Sequence, residues 1–363
     1  MGLNAGKIFA YRVFDIGMDV DLEKFQRSLF TATTQQRFRL SKFSRAMIIN
    51  NAPLALTLEG GKHECLGIRL DYDVAAKVWH FGAISINIQM TIPPELEWNK
   101  LIEIGAALEN DESLQQMAVQ KVTEMLQQFD PSRLTKMNWE TFEDYTLYFF
   151  KSLAGSEKNA LSVFQNYDVY RLILSETTES LSDQVKKGIM DGAIQYSETD
   201  LAVINWNSAL IIEPSGYLDI PDVIEFALCQ LLEMRYYDDV LDERLASLYS
   251  TLEGKGLGIW ETYSEKMSRE AARKYLEISD TVESVENSLK VVGDFYLAQI
   301  FRTASSRLRF NDWRDSVDQK LNNLAQIAKL MTNELNERRS RLLEMIIIVL
   351  IAIELIPFVV KLF

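Results

Sequence analysis

Apolar and polar positions alternate along Lys7–Ile16 (KIFAYRVFDI), and this period of two predicts a strand. The acidic pair Asp19 and Asp21 then caps a predicted helix from Asp21 to Phe30. Further strand chemistry is read at Ala46–Ile49, Leu54–Leu58, Leu66–Tyr72 and Val78–Met90, the last being VWHFGAISINIQM. Pro93-Pro94 opens a helical stretch to about Asn110, and Glu112–Phe129 continues with helical period. Val169–Leu174, Ala193–Tyr196 and Leu201–Ile212 return to strand chemistry, and from Ile220 onward the chain reads as helix. The softest connections are Asp130–Lys136 and Glu253–Gly258. This order predicts an α+β fold. A mixed α/β cytoplasmic body spans 1–219, a helical arm 220–310, a coiled-coil-like stalk 311–341 and a transmembrane helix 342–363.

The stalk and the tail carry the clearest periodicity. Val317, Leu321, Leu324, Ala328, Met331, Leu335, Arg338 and Leu342 follow one another at spacings of four and three, an a/d seam broken only by Arg338. No Pro or Gly interrupts Asn311–Glu354, so stalk and tail are expected to form one helix. Two readings stay open for the seam: a self-associating coiled coil, or a helix packed on its own domain. The tail LLEMIIIVLIAIELIPFVVKLF holds 14 Leu, Ile, Val or Phe residues between Leu342 and Val360. Their transfer into hydrocarbon, roughly −4 to −8 kcal/mol in all, outweighs about +3 kcal/mol for an acid near the centre. Glu344 then lies at the boundary and Glu354 inside. Arg338, Arg339 and Arg341 before the span, against Lys361 near its end, predict a tail anchor with the body in the cytoplasm. The N-terminus shows no signal-peptide pattern.

Composition narrows the chemistry. The 363 residues hold 38 Lys plus Arg against 52 Asp plus Glu, a formal charge of −14, so direct nucleic-acid binding is not expected. Two cysteines, Cys65 and Cys229, form no disulfide framework. With only His63 and His80, zinc sites of the HExxH kind and two-His iron sites are excluded. Glu59-Gly60-Gly61-Lys62 falls short of a phosphate loop and reads as a turn between strands, and Gly254–Gly258 reads as a helix terminator. His63-Glu64-Cys65 reads as a surface turn. Asp238, Asp239, Asp242 and Glu243 read as a solvated helix face rather than a cation site. No catalytic, cofactor or metal residue is assigned.

The run LMTNELNERRSRLLEMIIIVLIAIE, Leu330 to Glu354, resembles the C-terminal signature of the Required-for-Meiotic-Nuclear-Division family, with Leu343-Glu344 and Ile353-Glu354 at its ends. Phe226–Gln230, Gly293–Tyr296, Val317–Leu321 and His80–Ile84 resemble further family segments. Pro is missing at 293, and Trp313–Ser316 stands where the family has paired arginines. The resemblance implies a self-associating inner-membrane protein without established enzymatic activity. Its mitochondrial members are implied to hold ribosomes near the membrane. For this chain it implies a bacterial inner-membrane protein (mitochondrial if eukaryotic), with Glu344 and Glu354 as its membrane acids. The leading expectation is therefore a non-enzymatic, tail-anchored homo-oligomeric scaffold. Its partners would be itself, membrane lipid and a cytoplasmic protein or the ribosome. The alternative is a carboxylate-dependent, metal-assisted enzyme on the α+β body. A membrane-fusion coiled coil fits less well, since about four heptads are short for one.

Overall fold

The strand GKIFAYRVFD, β1 (Gly6–Asp15), is buried along nearly its whole length because it has neighbours on both sides. In the computed structural model it pairs antiparallel with β6 (Ala83–Ile92) and with β7 (Phe142–Phe150). The structure describes residues 6–17, 20–29, 34–38, 47–49, 51–109, 111–254 and 295–360, with short pieces between 272 and 291. Two compact units are formed, 1–236 with 281–313, and 237–280 with 314–363.

The first unit holds a nine-stranded sheet in the order β2-β4-β5-β6-β1-β7-β10-β9-β8. The remaining strands are β2 (Thr34–Arg37), β4 (Leu54–Cys65), β5 (Ile68–Val78), β8 (Ala193–Ile194), β9 (Leu201–Ile204) and β10 (Ser208–Ile212). β10 runs parallel to β7, and the other pairs are antiparallel. A separate two-stranded ladder joins β3 (Met47–Ile49) to β11 (Leu289–Val291).

Alternation along the strands gives the sheet two different faces. Ile8, Ala10 and Phe14 of β1, with Ile84, Ile86 and Ile88 of β6, enter an apolar core with α2 (Trp98–Glu109) and α3 (Glu112–Phe129). Asp111 caps α3 by accepting from the Ser113 N–H at 2.8 Å. The opposite face carries Tyr11, Lys77, Ser85 and Asn87 and meets the start of the long helix α7 (Asp219–Gly254). Trp79 packs there on Phe226 at 5.0 Å, and Phe226 on Phe301 of α8 (Phe295–Arg307) at 6.0 Å. Gly82 closes the β5–β6 turn at φ +115°, and a Cβ there would stand 2.4 Å from the Gly17 carbonyl oxygen, so glycine is required.

The second unit is helical where described. It buries Leu241, Leu245 and Leu248 of α7 together with Val317, Leu321, Leu324, Ile327 and Ala328 of α9 (Phe310–Val360). Asp238 accepts from Ser316 Oγ at 2.6 Å and pairs with Lys320 Nζ at 2.8 Å, while Asp242 meets the same lysine at 2.7 Å. Partial burial alone would lower the Lys320 ammonium, but these two carboxylates raise it.

The α+β body is as expected, and stalk and tail run as one helix, but several expectations are corrected. Val169–Leu174 is not a strand: Val169–Ile173 forms a short helix, α5, started by Asp168 accepting from the Arg171 N–H. Its Val169, Leu172 and Ile173 are buried on one side, so tertiary packing overrides β-branched propensity. β7 was not anticipated. Leu201–Ile212 is two strands, broken at Asn205–Asn207. Glu59–Lys62 is no turn but part of β4, where the register shifts between Leu58 and Gly61. The membrane-spanning tail anchor at 342–363 is also corrected: among the described residues no helix is long and apolar enough to cross a membrane. Side chains of this stretch are described only to Ile353.

Candidate functional site

Lys77 is the residue around which polar chemistry gathers. It sits in β5, on the face opposite Ala76 and Val78, and the register places it between Ala55 and Ser85. A lone ammonium buried in a sheet face costs several kcal/mol. Two acids one helical turn apart on α7 meet that cost: Asp222 Oδ1 accepts from Lys77 Nζ at 2.6 Å and Glu225 Oε2 at 2.8 Å. The Phe38 ring lies 4.3 Å from the same nitrogen. Burial alone would lower Lys77, but the two carboxylates hold it well above its ordinary value. Burial lifts Asp222 to about 6 against the pull of Lys77, because one ammonium serves two carboxylates.

These groups border a cavity of about 440 Å³. Tyr11, Asn87, Gln89 and Thr57 line it from the sheet, and Pro221, Asp222 and Glu225 from α7. Among the described residues, Asn87 Oδ1 and Glu225 Oε1 are buried and make no hydrogen bond, and the Tyr11 phenol is buried beside the Asn87 side chain. Burial, together with the charges of Glu225 and Asp222, raises the Tyr11 phenol well above its ordinary value.

A second cavity, of about 400 Å³, is bordered by Asp15, Gly17, Asp130, Arg133 and Tyr236. Arg133 Nη1 donates to the Ile16 and Gly17 carbonyls, both at 2.8 Å, and so fastens this loop. Burial pushes Asp15 up to about 6, and burial, together with the charge of Asp15, raises Glu233 well above the carboxylate range; neither Glu233 oxygen has a hydrogen-bond partner among the described residues.

The residues singled out from sequence fall elsewhere. Val317, Leu321, Leu324 and Ala328 are buried, Leu342 and Glu344 are exposed, and the side chains of Met331, Leu335, Arg338 and Glu354 lie outside the described residues. From Leu342 to Ile353 the apolar side chains are 49–65% exposed. His63-Glu64-Cys65 lies in β4, not in a surface turn, with His63 Nε2 buried 2.8 Å from Asp111 Oδ2. The Asp238 group is only partly a solvated face, since Asp238 is buried and bound to Lys320. Residues 255–258 of the glycine run lie outside the described residues. Lys77, Asp222 and Glu225 were missed. Their signal was a lysine within the apolar strand VAAKVW and acids at i and i+3 within the apolar helix DVIEFALCQLLEM.

A mixed sheet with a polar cavity on one face defines an α+β body. Residues 5–218 match the family described as "Uncharacterized protein MJ0711, N-terminal domain", and because that stretch exceeds half of the sequence, the chain belongs to this family. It is similar to "Uncharacterized protein MJ0711" of Methanocaldococcus jannaschii, 25% identical over 232 residues that cover 63% of this chain and 70% of the relative. No solved structure matches. These findings replace the Required-for-Meiotic-Nuclear-Division resemblance, which rested on short runs and on an Ile-rich tail that many apolar helices share. The relative is archaeal, so placement in a bacterial inner membrane is also corrected.

Proposed function

We propose that the protein is a non-enzymatic, homo-oligomeric scaffold: α9 gathers several copies, and the α+β body of each presents a surface to a further protein partner. The observation that carries this reading is the exposed apolar run from Leu342 to Ile353. A helix that is apolar around its circumference needs cover on every side, and a single neighbour covers only one. Continuing the spacing of four and three past Leu342 brings Met345, Val349 and Ala352 onto the seam. The ribosome as partner rested on the resemblance set aside above and is not carried forward.

Sedimentation velocity and light scattering of the full chain, without detergent or lipid, test this reading. A discrete species of three or more copies is expected. The double variant Met345→Lys/Val349→Lys, at two exposed seam positions, should become monomeric with an unchanged circular dichroism spectrum. A monomeric parent, or a double variant of unchanged size, overturns the proposal. So does a parent that disperses as monomers onto added phosphatidylcholine vesicles. The alternative of a carboxylate-dependent, metal-assisted enzyme is supported less. Asp222 and Glu225 already bond Lys77, and among the described residues no three His, Cys, Asp or Glu side chains are grouped to hold a metal.

A further inference from the structure

We infer that the cavity beside Lys77 binds a small organic cation carrying at least two N–H donors, of the alkylammonium or guanidinium type. The first argument is charge. Asp222 and Glu225 bring two carboxylates and Lys77 one ammonium, so with both acids ionised the site is left net negative. The second is hydrogen-bond inventory. Glu225 is 2% exposed, and its Oε1 has no partner among the described residues, while Oε2 bonds Lys77. Asn87 Oδ1 stands in the same position, and Tyr11 Oη can accept as readily as it donates. Buried acceptors left unmatched destabilise the fold, and a ligand rich in N–H groups removes that cost. The third is space. A volume of about 440 Å³ lies within the roughly 300–1,000 Å³ of small-molecule sites, and Phe9 adds an apolar wall.

Other ligand chemistries fit less well. An anion would have to displace carboxylates from Lys77, at 2.6 and 2.8 Å, and would then face both of them. A divalent metal would find the space between the two acids already filled by the lysine nitrogen.

Isothermal titration of the full chain with butylamine, putrescine and agmatine tests the site, with butanol and butyrate as controls. Salt at about 150 mM screens loose attraction to the acidic surface. At least one of the cations should bind with one-to-one stoichiometry, and neither control should. Glu225→Gln should weaken that binding about tenfold or more. The isosteric Tyr11→Phe, which keeps the ring in place, should weaken it about threefold. Absence of binding by all three cations, equal binding of butyrate, or unchanged affinity in both variants overturns the inference. Because Tyr11→Phe alters a single hydroxyl, it remains decisive if Glu225→Gln fails to fold.

Discussion

Lys77 shows how one side chain decides the character of a whole face. Replaced by Met, it would keep its packing but leave Asp222 and Glu225 without their cation. Breaking a buried ion pair from one side costs about 3–5 kcal/mol, so urea unfolding of Lys77→Met should show a loss of that order at pH 7.5. The loss should shrink at pH 5, where Asp222, raised to about 6, takes up a proton. An equal loss at both values would mean that the lysine acts through packing alone. Gly82 makes a second, independent point at the same scale. With φ +115° and the Gly17 carbonyl oxygen 2.4 Å from any Cβ, Gly82→Ala combines strain with a backbone clash. Thermal unfolding should report a loss of about 2 kcal/mol or more. An unchanged midpoint would show that the turn relaxes.

Among the elements, α9 is the one whose pattern said most and whose role it left open. The seam at spacings of four and three is a property of sequence, and so is the absence of Pro and Gly, which is why a single helix was legible. What covers each part is a tertiary fact. Val317, Leu321, Leu324 and Ala328 are buried within the second unit, whereas the apolar side chains of Leu342–Ile353 are bare, although the same period runs through both stretches. Leu324→Ala should therefore cost about 2–5 kcal/mol of stability. Val349→Ala, at an exposed seam position, should leave the fold intact and change only association. Matching stability losses for the two would contradict this division of the helix. The same logic explains the other misreadings. Val169–Ile173 looked like a strand because Val and Ile favour strands, yet its cap and one-sided burial make it a helix. β7 was overlooked although FEDYTLYFF carries strand chemistry in its phenylalanines and tyrosines. The pairing of Lys77 with Asp222 and Glu225 was not, because it joins residues 145 and 148 positions apart.

For the molecule as a whole, the buried acids set an unusual response to pH. Burial pushes Asp15 and Asp222 up to about 6, and Glu143, beside Arg235, up to about 7. Their folded values lie above the ordinary 3.8 to 4.5, so between about pH 4 and 7 the folded chain keeps protons that the unfolded chain has released. Stability then falls as pH rises through this window, by on the order of 2–3 kcal/mol per group at most. The formal charge of −14 acts in the same direction through self-repulsion. Calorimetry should give a higher melting temperature at pH 5 than at pH 7.5, and Glu143→Gln should flatten the difference. A melting temperature that climbs with pH would show that these carboxyls are ionised in the fold.

The central position of β1 bears on how the chain leaves the ribosome. Its two partners lie far downstream, β6 at 83–92 and β7 at 142–150. At about 5–20 residues per second, roughly 6–25 s of translation separate the end of β1 from the start of β7. Until β6 emerges IFAYRVF has both edges free, and until β7 emerges one edge stays open, which exposes it to capture by holding chaperones and to mispairing.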